Sequence, residues 1–174
     1  IFDTAKEALI ASGEFDPELT PKEFLADKEL VLAMLQDGYV YAETLEYVFA
    51  DDSLKSDRDV VMAAVQTHDC ALDLVDKKFQ SDREVVMAAV QYDGFALRHA
   101  DKKFRSDREV VMAALQSDGT ADQSDGTSLQ FADELLRSDR EFILEAIETV
   151  ESPFIDSDVP PFFYYVDEKL KSDR

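Results

Sequence analysis

The chain has 174 residues, with 18 Lys and Arg against 39 Asp and Glu, a net charge of −21 at neutral pH. A surface this acidic repels phosphate backbones and anionic lipid headgroups, which argues against nucleic acid or an acidic membrane as partner. A hydrophobic share of 45% is nonetheless too high for an acidic disordered tail and suits one domain with a sizeable core.

The chain opens Ile1-Phe2-Asp3-Thr4, with no initiator Met and no signal or transit pattern. Residues 1–25 read as an N-terminal helical extension. No stretch approaches the ~18 apolar residues needed to span a membrane, and the lone Cys70 cannot form an internal disulfide.

From residue 26 to 174 the sequence repeats itself. Ser56 to Gln66 reads Ser-Asp-Arg-Asp-Val-Val-Met-Ala-Ala-Val-Gln, and Ser81 to Gln91 differs from it only at Glu84. Ser106 to Gln116 copies that second version with Leu115 in place of Val90. Weaker copies start at Ala26 and Ser138, and a last Ser172-Asp173-Arg174 matches the start of another. The starts at 26, 56, 81, 106 and 138 define a period of about 25 residues. Within each unit, Ser81 with Glu84, Ser106 with Glu109 and Ser138 with Glu141 have capping-box spacing, and Ser56 with Asp59 is a shortened form. Val85, Val86, Ala89 and Val90 fall at i, i+1, i+4 and i+5, one buried helical face. Gly38, Gly94 and Gly119 stand where left-handed C-caps would end these helices, and Asp69 takes that place in the unit from 56. A second helix is predicted with Leu97, Ala100 and Phe104 on one face, matching Leu72, Val75 and Phe79, and its basic end suits the helix dipole.

Helices of about ten residues are marginal alone, so each must bury its face against neighbours. The fold class expected is all-α: an α-solenoid of short helical hairpins. The unit from 106 carries a seven-residue duplication, Gln116 to Asp122 followed by Gln123 to Thr127, which places that turn in an exposed loop. The last unit has a longer loop from Ser152-Pro153 to Pro160-Pro161, then aromatic residues.

The Ser-Asp-Arg-Glu-Val-Val-Met-Ala-Ala-Val-Gln pattern, with its glycine turn, Ala-Leu and basic end, resembles tandem repeats of a domain of unknown function found mainly in algae and other protists. The resemblance implies helical repeats and, by analogy, interaction with other proteins. It brings no catalytic residues. Together with the missing Met it points to an organelle-imported subunit, in a chloroplast or mitochondrion, of a photosynthetic or respiratory complex.

Little in the sequence suggests chemistry. Cys70 with His68 and His99 allows a thiol–imidazole enzyme on paper, but no nucleophile signature surrounds them. A second cysteine for a zinc site is missing. Asp118, Asp122, Asp125, Asp156 and Asp158 invite a divalent-ion module, yet if Gly126 took the sixth place of a calcium loop, alanines would stand at its first and twelfth places. Solvated acids fit better. Arg58, Arg83, Arg108 and Arg140 recur at helix N-termini, where positive charge is disfavoured. They either pair with Asp76, Asp101 or Asp133 of adjacent units, as an inter-repeat ladder, or extend into water. Phe154, Phe162 and Tyr164 either pack against a following unit or anchor a partner.

The expected function is a non-catalytic protein–protein interaction module: a scaffold, linker or accessory subunit without cofactor. Its acidity is uneven. Residues 1–55 carry 4 bases and 13 acids, 56–105 carry 8 and 9, and 106–174 carry 6 and 17. A partner with a basic surface is therefore expected at the flanks of the array, with Asp118, Asp122, Asp125, Asp156, Asp158, Phe154, Phe162 and Tyr164 as contact candidates.

Overall fold

The structure is a computed structural model that describes residues 7, 8, 11, 21–36, 42–49, 51–118, 127–149 and 165–168. Among the described residues every regular element is a helix and none is a strand. In chain order they are α1 (Lys22–Leu25), α2 (Lys28–Gln36), α3 (Ala42–Val48), α4 (Asp52–Lys55), α5 (Arg58–Val65), α6 (Ala71–Leu74), α7 (Lys77–Gln80), α8 (Arg83–Tyr92), the 3₁₀ helix η1 (Gly94–His99), α9 (Lys102–Arg105), α10 (Arg108–Asp118), the 3₁₀ helix η2 (Thr127–Phe131), α11 (Glu134–Arg137) and α12 (Arg140–Thr149).

The protein is an all-α helical-repeat fold. The units from 26, 56, 81 and 106 each have a long helix, a connecting helical segment and a helix of four residues. The long helices α2, α5, α8, α10 and α12 begin two residues after each repeat start and stand in a row, each packed on the next. The predicted apolar face is the core: Val60, Val61, Val85, Val86, Val110 and Val111 are fully buried, as are Phe142 and Ala146 in α12. One cluster of buried side chains runs without interruption from Leu30 to Val166. The connecting turns close the other side of this core, and Phe95 in η1 meets Phe131 in η2 edge to face at 5.4 Å.

Three local expectations need correction. The helix caps are aspartates, not serines. Oδ1 of Asp82 accepts from the backbone N–H groups of Glu84 and Val85 at 3.0 and 3.2 Å, and Asp57, Asp107 and Asp139 do the same in their units. Each serine belongs to the helix before: Ser56, Ser81, Ser106 and Ser138 are the C-caps of α4, α7, α9 and α11. Aspartate wins because it stands one residue nearer the helix and brings a full negative charge to the positive end.

The glycine caps differ too. α8 ends at Asp93, whose backbone is extended (φ −145°, ψ 120°) and whose carboxylate caps η1 by accepting from Phe95 N–H at 3.1 Å. Gly94 is buried as the first residue of η1. α5 ends at Gln66 in ordinary right-handed geometry, with Asp69 in the turn beyond. Gly38, Gly119, the duplicated turn after Asp118 and the Pro-bearing loop lie outside the described residues.

The second helix of each hairpin is broken in two. Ala100 (φ −69°, ψ 151°) and Asp101 (φ −54°, ψ 147°) are extended between η1 and α9, and Val75 and Asp76 play the same part between α6 and α7. The break frees a backbone N–H to bond outside its own helix. Asp101 N–H donates to the carbonyl of Gln80 at 2.9 Å, Asp133 to Arg105 at 2.8 Å, Asp167 to Arg137 at 3.1 Å and Asp76 to Lys55 at 3.4 Å. The last residues of α4, α7, α9 and α11 thus each have their carbonyl satisfied by a backbone N–H of the next unit.

Removing the Asp82 carboxylate should show which residue caps. Asp82→Ala is expected to cost about 1–2 kcal/mol in thermal or urea unfolding, and Ser81→Ala clearly less. The junction bond has its own test. Asp101 already has proline-compatible φ after an extended residue. Asp101→Pro should therefore melt below Asp101→Ala, because it also deletes the N–H bonded to Gln80.

Candidate interaction surface

The recurring arginines form an ionic ladder along the N-terminal edge of the long helices. Arg58 donates to Asp82 Oδ2 at 2.6 Å and to Glu84, Arg83 donates to Asp107 and Glu109, and Arg108 donates to Asp139 Oδ2 at 2.7 Å and to Glu145 at 3.1 Å. Lys28, at the equivalent position of α2, reaches Asp57 at 2.9 Å and Asp59 at 2.6 Å. Arg140 has no carboxylate partner among the described residues. The ladder's acids are not Asp76, Asp101 and Asp133, as the sequence suggested. Each arginine is the first residue of a long helix, and the next long helix starts beside it, so Arg58 and Arg83 meet that helix's cap and the residue two beyond it, and Arg108 meets the cap and Glu145.

Asp76, Asp101 and Asp133 instead serve the row of short helices. Ser56 Oγ donates to Asp76 at 2.6 Å, and Ser81 Oγ to Asp101 at 2.9 Å. Lys78 and Lys103 donate to the carbonyls of Ser56 and Ser81 at 3.1 and 2.9 Å. Asp101 and Asp133 also cap α9 and α11 through Lys103 and Leu135 N–H.

Two rows of polar bonds therefore tie each unit to its neighbour. One doubly charged carboxylate pair meets one guanidinium at each rung, so the Asp82 carboxyl is held below the ordinary range, first by its bond to Arg58 against the opposing effect of burial. The Arg58 guanidinium is raised by the same two acids.

Cys70 and His68 lie in the turn between α5 and α6, and His99 ends η1. The half-buried Cys70 thiol is pushed up, first by burial and then by Asp69, which lowers its thiolate fraction and its nucleophilicity. His68 is buried, with Thr67 Oγ1 at 2.8 Å from its Nδ1. His99 Nδ1 bonds Asp73 Oδ1 of the preceding unit at 2.8 Å, and burial holds its imidazole below the usual value despite that carboxylate. Among the described residues no three His, Cys, Asp or Glu side chains gather as a metal group would require. Of the acidic contact candidates, only the backbone of Asp118 is described, as the last residue of α10. Asp122, Asp125, Asp156, Asp158, Phe154, Phe162 and Tyr164 lie outside the described residues.

A feature that the sequence reading passed over lies on the long helices' outer face. Leu32, Met62, Met87 and Met112 are half-buried at equivalent positions, and Leu144 continues them at 43% exposure. One turn further on, Gln36, Gln66, Gln91 and Gln116 are exposed. Between α8, α10 and α12 this face opens into a cleft of about 480 Å³ lined by Met87, Gln91, Met112, Gln116, Arg108 and Glu145. The cleft forms where the ladder slips. Arg108 takes Glu145, one turn along α12, rather than Glu141, the position equivalent to Glu109. The signal was available in the repeat itself, as the Met and Gln that recur in the units from 56, 81 and 106 on the polar side of a helix whose other face is core.

These features define a class, the α-helical repeat arrays in which each unit is stabilised by the one beside it. The chain belongs to the family described as Domain of unknown function (DUF4116), whose model matches residues 27–80, 82–121 and 123–154. No curated protein and no solved structure matches it.

The ladder should show as a charge-dependent stability term. Asp82, with its folded value lowered, contributes above the unfolded carboxylate value of about 3.9 and loses that contribution as pH falls through its own lower value. The melting temperature of Arg58→Met should fall a few degrees below the parent between about pH 5 and 8. That gap should close below about pH 3, and should narrow in about 1 M salt.

Proposed function

We propose that this chain is a non-catalytic interaction module, a scaffold or accessory subunit that binds other proteins along its repeats. The observation that carries the reading is the recurrence of the same exposed side chains, unit after unit, on a row of helices whose ionic and capping groups already bond to one another. A repeated surface offers a partner the same contact several times over, and linked contacts raise avidity beyond any single one. The high thiol value at Cys70 and the commitment of His99 to Asp73 favour this reading over a thiol–imidazole enzyme. The partner, on this reading, carries a basic surface.

The test is recovery of the chain with bound proteins from its native source, with sedimentation of the purified pair. A defined complex that sediments as one species, and weakens as salt rises, is the expected result. A lone monomer with no protein recovered in repeated captures would overturn the reading.

A further inference from the structure

We infer that the outer face of the long helices is a track for an extended basic segment of a partner protein, read at about three residues per repeat unit. This rests on the interaction reading above and adds the partner's conformation and chemistry.

Four observations converge on it. First, the spacing fits. Packed neighbouring helices lie about 8–10 Å apart, and an extended chain of the polyproline II type advances about 3.1 Å per residue with three residues per turn, so three residues carry it from one helix to the next and return every third side chain to the same face. Second, α5, α8 and α10 offer the same two groups in the same order. Met62, Met87 and Met112 supply an adaptable apolar step. Gln66, Gln91 and Gln116, one turn on, are exposed, and their side chains make no hydrogen bond among the described residues. A carboxamide both donates and accepts, which is what a lone extended backbone needs on each side. Third, the two rungs flanking α10 converge on the cleft of about 480 Å³, where Met87 with Gln91 and Met112 with Gln116 form facing walls large enough for an apolar side chain.

The fourth observation is charge. Each ladder rung sets one guanidinium against two carboxylates: Arg58 against Asp82 and Glu84, Arg83 against Asp107 and Glu109, Arg108 against Asp139 and Glu145. One negative charge per unit is left along the edge of the track, and the positive helix ends offset about half of it. The lysines of the central units, Lys77, Lys78, Lys102 and Lys103, lie on the row of short helices instead. A bound segment with an apolar residue at every third position and Lys or Arg between them would meet apolar, amide and acidic groups in register.

The probe is a fifteen-residue peptide repeating Lys-Lys-Leu, titrated by fluorescence anisotropy against the full chain at physiological salt. Its counterparts repeat Glu-Glu-Leu, or hold the first peptide's composition at helical spacing. Binding of the first peptide is expected, weakened at least tenfold in the Gln91→Ala/Gln116→Ala variant, whose exposed changes leave melting unaltered. No binding, equal binding to the variant, or equal binding of either counterpart would overturn the track. The variant also separates the two readings. If it still captures the partner protein recovered with the parent chain, the track falls while the interaction module stands.

Discussion

The array depends on a charge placed where a lone helix would reject it. Arginine as the first residue of a helix faces the positive end of the helix dipole and destabilises an isolated segment. Here that residue is answered by the next unit's helix, whose cap and early acid lie within hydrogen-bonding reach. A cost borne inside one unit becomes an attraction between two. The same segment alone therefore has less reason to fold than it has in company, which is the thermodynamic signature of a repeat protein. The short-helix row follows the same logic with backbone groups. A break in the second helix leaves an N–H without an intrahelical partner, and the preceding helix end supplies the carbonyl.

These two rows also explain how polar residues can recur so densely in so regular a chain. Asp57, Asp82 and Asp107 cap their own helices through one oxygen and take the neighbouring cation through the other. Each carboxylate thus has both a local and an inter-unit role. On the long helices of the central units the buried face is valine, alanine and leucine, because adjacent helices repeat it, while Phe79 and Phe104 enter the core from the short helices and Phe142 enters where the last long helix departs from the common pattern. There the ladder slips by one turn to Glu145, and the cleft opens.

Much of this was legible in the sequence, for reasons that can be named. The buried positions, such as Val85, Val86, Ala89 and Val90, follow from helical periodicity, and the repeat starts follow from self-similarity. Both are properties of a chain read along itself. The partners of the arginines are not, because acids recur at Asp76, Asp82 and Glu84 alike and only the packing of one unit on the next selects among them. Serine against aspartate as the cap is a difference of one residue in where the helix begins, and the Ser81 hydroxyl instead bonds Asp101, twenty residues on. The break at Ala100–Asp101 was hidden for a related reason. Leu97, Ala100 and Phe104 keep helical spacing across it, and the N–H that opens it bonds to a different unit. The Met and Gln row was visible as letters, yet its meaning needed the knowledge that both groups share the outward face.

The junctions have a consequence for how such proteins change length. The two rows of bonds that join the central units use residues those units share: the Ser-Asp-Arg start, the early acid, and the Asp-Lys-Lys that opens the short helix. A unit copied whole by gene duplication arrives with both halves of its connections, and one deleted whole leaves matching halves behind. Growth or loss in steps of a full unit thus preserves the register of both rows, while a fractional step inside a helix breaks it. The length of the array is in this sense a heritable dial with discrete settings.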